Sequence, residues 1–145
     1  MREGLRKHAG TSMPELIAVL ALTGILLAIA IPSIDRSTER AAVRGAVAEI
    51  IASLSAARQL AVSRRGGVAL SIDTAEAAIH VTGDGDTLSA RPLGRVFGVT
   101  ISSTRDSLAY DARGLGLGGA NLTFVVMRGS TADTVIVSRL GRVRW

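Results

Sequence analysis

Few side chains in this sequence can move a proton or hold a metal. The histidines are His8, near the start, and His80, in a stretch that reads as a strand. Cysteine is absent, which excludes disulfides, thiolate metal sites and a cysteine nucleophile. No G-x-S-x-G, H-E-x-x-H or P-loop spacing occurs. The alternating glycines from Gly114 to Gly119 precede a strand-like run, not a helix, so they make a poor phosphate cradle. Asp84 and Asp86 could hold Ca²⁺ in a glycine-rich turn, although a solvated turn is the plainer reading. These residues point away from an enzyme, and no cofactor or metal is expected. What remains is the chemistry of placed charges. Glu15 is the single charge within the apolar residues 11–31. At the other end, Arg139, Arg142 and Arg144 form a cationic tail closed by Trp145.

Glu15 needs an element to position it. Residues 11–31 make a 21-residue run, and a helix of that length is roughly 30 Å long, enough to cross a bilayer core. An ionisable group inside such a helix costs at least about 2.5 kcal/mol near its centre. Two explanations fit. Glu15 has a partner there, or it snorkels to the interface from its place near the helix start. Residues 1–10 are short and basic, with Arg2, Arg6 and Lys7 against Glu3. That flank predicts a cytoplasmic N-terminus and a body outside the cytoplasm. A secretory signal peptide is a weaker reading, because its apolar core is shorter, although Ala28-Ile29-Ala30 offers a loose cleavage pattern. Removing Arg2, Arg6, Lys7 and Glu3 from the 17 basic and 12 acidic residues leaves 14 and 11, net +3. So mild a balance is slight evidence for a nucleic-acid partner.

The helical pattern continues past Pro32. Val43, Val47, Ile50, Leu54, Ala57 and Ala61 recur at spacings of four and three, one face of an amphipathic helix. The spacing predicts a second helical stretch over 33–63, kinked or briefly interrupted at Pro32. Arg64-Arg65-Gly66-Gly67 supplies its stop signal. Short strand-like runs follow at 68–72, 78–82, 96–102, 107–111, 122–127 and 134–138, with a last short strand at 143–145. Turns are expected at Gly83-Asp84-Gly85-Asp86 and Arg128-Gly129-Ser130-Thr131, and a turn or bulge at Leu140-Gly141-Arg142. Residues 111–120 read as an irregular loop.

The run Gly10-Thr11-Ser12-Met13-Pro14-Glu15-Leu16, followed by apolar residues to Ile31-Pro32-Ser33, resembles the N-terminus of type IV pilins and pseudopilins. The resemblance implies a prepilin peptidase that cuts between Gly10 and Thr11 and methylates the new amine. It implies that Glu15 pairs with the N-terminal amine of a neighbouring subunit during assembly, a buried pair that sets register more than stability. Thr11 stands where the family usually has Phe, and Pro14 where it usually has an apolar residue other than proline. Proline within a first helical turn is tolerated, since its missing N–H would be unpaired anyway. Thr11 leaves methylation less secure than cleavage. Further on, Ala56-Ala57-Arg58-Gln59-Leu60-Ala61-Val62-Ser63-Arg64-Arg65, Tyr110-Asp111-Ala112-Arg113-Gly114 and the closing Ser138–Arg144 run resemble the GspH/FimT group of minor pseudopilins and minor pilins.

The resulting expectation is an α+β chain. A long N-terminal helix, membrane-spanning in its first half, packs on a C-terminal antiparallel β-rich head. The segments are a leader at 1–10, a transmembrane assembly helix at 11–32, an amphipathic helix at 33–65 and a β-rich head at 66–145. The implied function is that of a non-enzymatic subunit of a type II secretion pseudopilus, for protein export, or of a type IV pilus. A second reading has a minor pilin that binds DNA for natural transformation through Arg139, Arg142 and Arg144, with Trp145 stacking on a base. The bland reading of that tail is a terminal strand with solvated arginines and a packed tryptophan. A third reading, of another class, is a membrane-anchored binding domain that never polymerises. The expected partners are the prepilin peptidase, other pilins or pseudopilins, the bacterial inner membrane and, on the second reading, DNA. The head would then be periplasmic or extracellular.

Overall fold

The computed structural model describes residues 12–117, 121–138 and 142–145. The chain divides after Asp35 into two compact units. Helix α1, Met13–Arg64, contributes to both, and its helical backbone is continuous through Pro32. The expected interruption is absent. A proline removes one backbone donor, but its neighbours keep theirs, and Ser33 Oγ donates to the Ala30 carbonyl at 2.7 Å in the same turn.

In the second unit α1 is amphipathic. Val43, Val47, Ile50, Leu54, Ala57 and Ala61 are all buried, and Ala46 fills the gap between two of them. Arg65 and Gly66 close the helix with backbone bonds to Val62 and Ala61. Nine strands and one short helix follow among the described residues. The strands are β1 Val68–Asp73, β2 Ala78–Gly83, β3 Asp86–Pro92, β4 Thr100–Ser103, β5 Ser107–Tyr110, β6 Gly116–Leu117, β7 Leu122–Arg128, β8 Thr131–Val137 and β9 Val143–Arg144; helix α2 spans Leu93–Phe97. They form two antiparallel sheets, ordered β3-β2-β1-β5-β6 and β4-β7-β8-β9. Alternation decides which face is inside. In β1, Val68, Leu70 and Ile72 are buried while their neighbours are half-buried. In β7, Leu122, Phe124 and Val126 turn inward. One core joins these residues with Ile79, Leu93, Tyr110, Val135 and the buried stripe of α1.

Two hairpin turns follow the expectation. β2 and β3 are joined by Asp84-Gly85, both at positive φ (54° and 88°), the combination a two-residue hairpin favours. β7 and β8 are joined by Gly129-Ser130. Two expectations are corrected, and one strand, β3, was not anticipated. The strand read at 96–102 is β4 only from Thr100; Val96 and Phe97 belong to α2, and Gly98 and Val99 link the two, while Val96 is 65% exposed and buries no strand face. Residues 86–92 form β3, which has no apolar alternation because it is an edge strand exposed along most of its length. The loop at 111–120 contains β6, which pairs with Ala109 and Tyr110.

Candidate assembly helix and C-terminal arginine edge

The first unit begins with a capped helix. Ser12 precedes α1, and its carbonyl accepts from the Glu15 and Leu16 amides at 3.0 and 3.2 Å. The Ser12 amide donates to Glu15 Oε2 at 3.4 Å, half of a capping box. Pro14 fits here because the first N–H groups of a helix have no intrahelical acceptor. Glu15 thus supports its own helix N-terminus, where the helix dipole also favours a negative charge. The side chains beyond it are apolar all round. Leu16, Ile17, Val19, Leu20, Leu22, Ile25, Leu26, Leu27, Ile29, Ile31 and Ile34 are each more than half exposed. A helix with no polar face has no water-facing side. Among the described residues this is the one helix long and apolar enough to cross a membrane. The proposed cleavage point, Gly10 and Thr11, lies outside the described residues.

The other end is built on β8. Val137 pairs with Val143 and Ile136 with Arg144, which makes β9 the edge strand of its sheet. Ser138 N donates to the Arg142 carbonyl at 2.8 Å, and Arg142 N donates to Ser138 Oγ at 3.1 Å, so the returning chain is pinned. Val143 turns toward the core. The two-residue period of an extended chain therefore puts Arg142 and Arg144 together on the outer side, where both are exposed. Neither has an ion pair with another described residue. Trp145 is 73% exposed, so it does not pack on the domain. Arg139 lies outside the described residues.

The remaining chemistry-bearing groups lie on the β-rich head. His80 is half-buried beside a cavity of about 570 Å³ lined also by Asp73, Glu76 and Arg95. Asp73 Oδ1 is occupied by the Ala75 and Glu76 amides at 2.9 and 3.0 Å. Among the described residues no group of three His, Asp or Glu could hold a metal. Tyr110 is buried, and burial pushes its phenol up, while the positive Arg58 guanidinium pulls it partly back.

Two features had no warning in the sequence reading. Glu39, on α1, holds the β7–β8 turn. Its Oε2 accepts from Ser130 N, Ser130 Oγ and Thr131 Oγ1 at 3.2, 3.2 and 3.3 Å. Gly129 carries a φ of 56°, and a Cβ there would collide with the Glu39 carboxylate. Arg128 Nη1 donates to the Phe97 carbonyl at 2.6 Å and holds the C-terminus of α2. A positive-φ glycine next to two hydroxyl residues was the available signal, but it does not name a partner some ninety positions away.

Comparison with known proteins agrees with this architecture. The family model described as type II transport protein GspH matches residues 46–141. The type IV minor pilin FimU of Pseudomonas aeruginosa is similar in fold in two crystal forms. In one, the TM-score is 0.62 at 19% identity, covering 72% of this chain and 88% of that one. In the other it is 0.57 at 19% identity, covering 70% and 90%. No curated protein matches. With most of its residues matched by that model and a long helix leading into antiparallel sheets, this chain belongs to the GspH family of type IV pilin-like proteins.

Proposed function

We propose that this chain is a minor subunit of a type II secretion pseudopilus or a type IV pilus, made as a precursor and cut between Gly10 and Thr11. GspH-family membership supports a pseudopilin or pilin subunit, a structural rather than catalytic part. The observation that carries the assembly reading is the helix of the first unit, apolar all round and exposed, with Glu15 as its only charge as far as Asp35. Such a surface is stable in lipid or against other apolar helices, and in water it would aggregate. The subunit waits in the inner membrane with its N-terminus on the cytoplasmic side. It then passes into the filament, where Glu15 exchanges its weak contact with the Ser12 amide for the N-terminal amine of a neighbour. The head meets other subunits or exported cargo.

Expression beside a prepilin peptidase tests the processing step. Mass spectrometry of the mature chain is expected to show a start at Thr11. An intact Met1, or cleavage after Ala30, removes the assembly reading and leaves a plain anchor or a secreted domain.

A second reading is favoured by one observation, the exposed Arg142 and Arg144, without an ion pair among the described residues, on one side of an edge strand beside an exposed Trp145. This arrangement suits a duplex whose phosphates meet the guanidinium groups. Duplex binding by the mature chain in detergent is expected to fall steeply with salt and to be lost in Arg142→Ala/Arg144→Ala. Binding indifferent to those substitutions, or none at low salt, eliminates the DNA-uptake role.

A further inference from the structure

The apolar stretch of α1 ends at Ile34, and the next turns of the same helix carry Arg36, Arg40 and Arg44. At about 100° per residue these three fall within an arc of roughly 80° and rise about 12 Å along the axis. All three side chains are exposed. None has a hydrogen bond or ion pair with another described residue. Two acids lie nearby in sequence, Asp35 and Glu39. By the same geometry they sit roughly 140° and 100° from the middle of the arginine arc, on a side of their own. Glu39 is further committed, since its carboxylate accepts three hydrogen bonds from the β7–β8 turn. The clasp that secures the hairpin thus takes away the carboxylate best placed, three residues on, to neutralise Arg36. What is left is a cationic row that begins two residues after the membrane-spanning stretch ends, and it precedes the residues matched by the family model.

We propose that Arg36, Arg40 and Arg44 form a face for the phosphate headgroups of anionic phospholipids, at the level where α1 leaves the bilayer. This rests on the reading of the apolar stretch as a membrane span. Guanidinium groups suit the partner, since each offers a planar fork of donors to phosphate oxygens. Position favours lipid over nucleic acid, because headgroups meet the turns that directly follow an apolar span. The row adds lateral anchoring to a subunit whose leader charges are lost on cleavage. It must also let go when the subunit leaves the bilayer, and headgroup contacts are individually weak enough for that.

The test uses the full chain with its leader cations neutralised in every sample (Arg2→Gln, Arg6→Gln and Lys7→Gln), reconstituted in membranes of phosphatidylcholine mixed with phosphatidylglycerol. Carbonate washing first checks anchoring. Native mass spectrometry after gentle detergent release then counts each retained lipid. Phosphatidylglycerol is expected to be enriched, with enrichment falling on the order of fivefold for each arginine replaced in Arg36→Gln, Arg40→Gln and Arg44→Gln. Asp35→Asn is expected to raise it, and Arg142→Gln/Arg144→Gln to leave it unchanged. A chain that stays anchored but retains both lipids equally, or a triple variant that keeps the enrichment, overturns the headgroup face alone. Extraction by carbonate overturns the membrane reading with it. Duplex DNA bound in neutral lipid and lost in the triple variant, with no phosphatidylglycerol enrichment, assigns the row to nucleic acid and also overturns the proposal.

Discussion

Glu39 shows how much one side chain can do in this head. Its carboxylate replaces water for a turn amide and two hydroxyls, and hydrogen bonds to a charged group contribute about 1.5–3 kcal/mol in favourable settings. The turn is only part-buried, so Glu39→Ala is expected to cost roughly 1–2 kcal/mol in denaturant melts. Gly129→Ala combines a positive φ with a clash against the same carboxylate, and about 1–3 kcal/mol is expected. In the double variant the clash has no partner, so the two costs should add to less than their sum; strict additivity would mean that the contact is not real. Tyr110 makes a separate prediction. Burial raises its folded-state pKa above the unfolded value of about 10. The folded chain therefore keeps its proton longer than the unfolded chain does. The associated stability is fully present below pH 10 and is lost as pH climbs through the raised folded value. Tyr110→Phe is expected to flatten that alkaline decline in a pH series of melts.

At the scale of elements, α2 depends on its surroundings. A five-residue helix is not stable alone. It is held by Arg128 on the Phe97 carbonyl, by Leu93 in the core and by the Phe97 ring against α1. Gly45 is the reason the ring fits. An added Cβ would stand 2.7 Å from Phe97 Cε1, closer than real contacts allow. Gly45→Ala gains helix propensity but must displace the ring, and a net loss of about 1–2 kcal/mol in thermal or denaturant unfolding is expected. Phe97→Ala in the same background should recover part of the loss. Strand β3, which leads into α2, is tied to α1 by an ion pair, Arg91 Nε to Glu49 Oε1 at 2.8 Å. Both partners are substantially exposed, and such pairs contribute little, about 0–1 kcal/mol.

The whole molecule sets two solvents side by side along one helix. The large apolar residues from Leu16 to Ile31, and Ile34, present their side chains outward, whereas the stripe from Val43 to Ala61 turns them inward. Glu15→Leu separates the roles of the first part. It removes a charge from the apolar stretch, so membrane retention is expected to hold or rise. Incorporation into a filament, measured by cross-linking to neighbouring subunits, is expected to drop severely if the carboxylate sets register. Unchanged incorporation would reduce Glu15 to a cap on its own helix. In the second part, Leu54→Ala is expected to unfold the head more readily by about 2–5 kcal/mol, with membrane anchoring intact.

Much of this protein was readable from periodicity. The apolar stretch, the stripe on α1, the Asp84-Gly85 and Gly129-Ser130 turns and the inward alternation of β1 and β7 are local patterns. Each is imposed by a nearby burial boundary, so the residue spacing records it. The Gly10 to Glu15 spacing is of another kind, since its proposed meaning rests on resemblance to a family and Gly10 lies outside the described residues. The strand β3 left no such record because an edge strand pairs through its backbone and buries little. Helix α2 left none because its support comes from Arg128 and Gly45, which are remote in sequence. The order of strands in the two sheets, the burial of Tyr110 near Arg58 and the grip of Glu39 on a turn ninety residues on were decided only by tertiary structure. Sequence by itself determined that Glu15 stands near the start of a long apolar run with no other charge. Tertiary structure decided that the other carboxylate, Glu39, is turned onto the head, since a long-range hydrogen bond has no period to betray it.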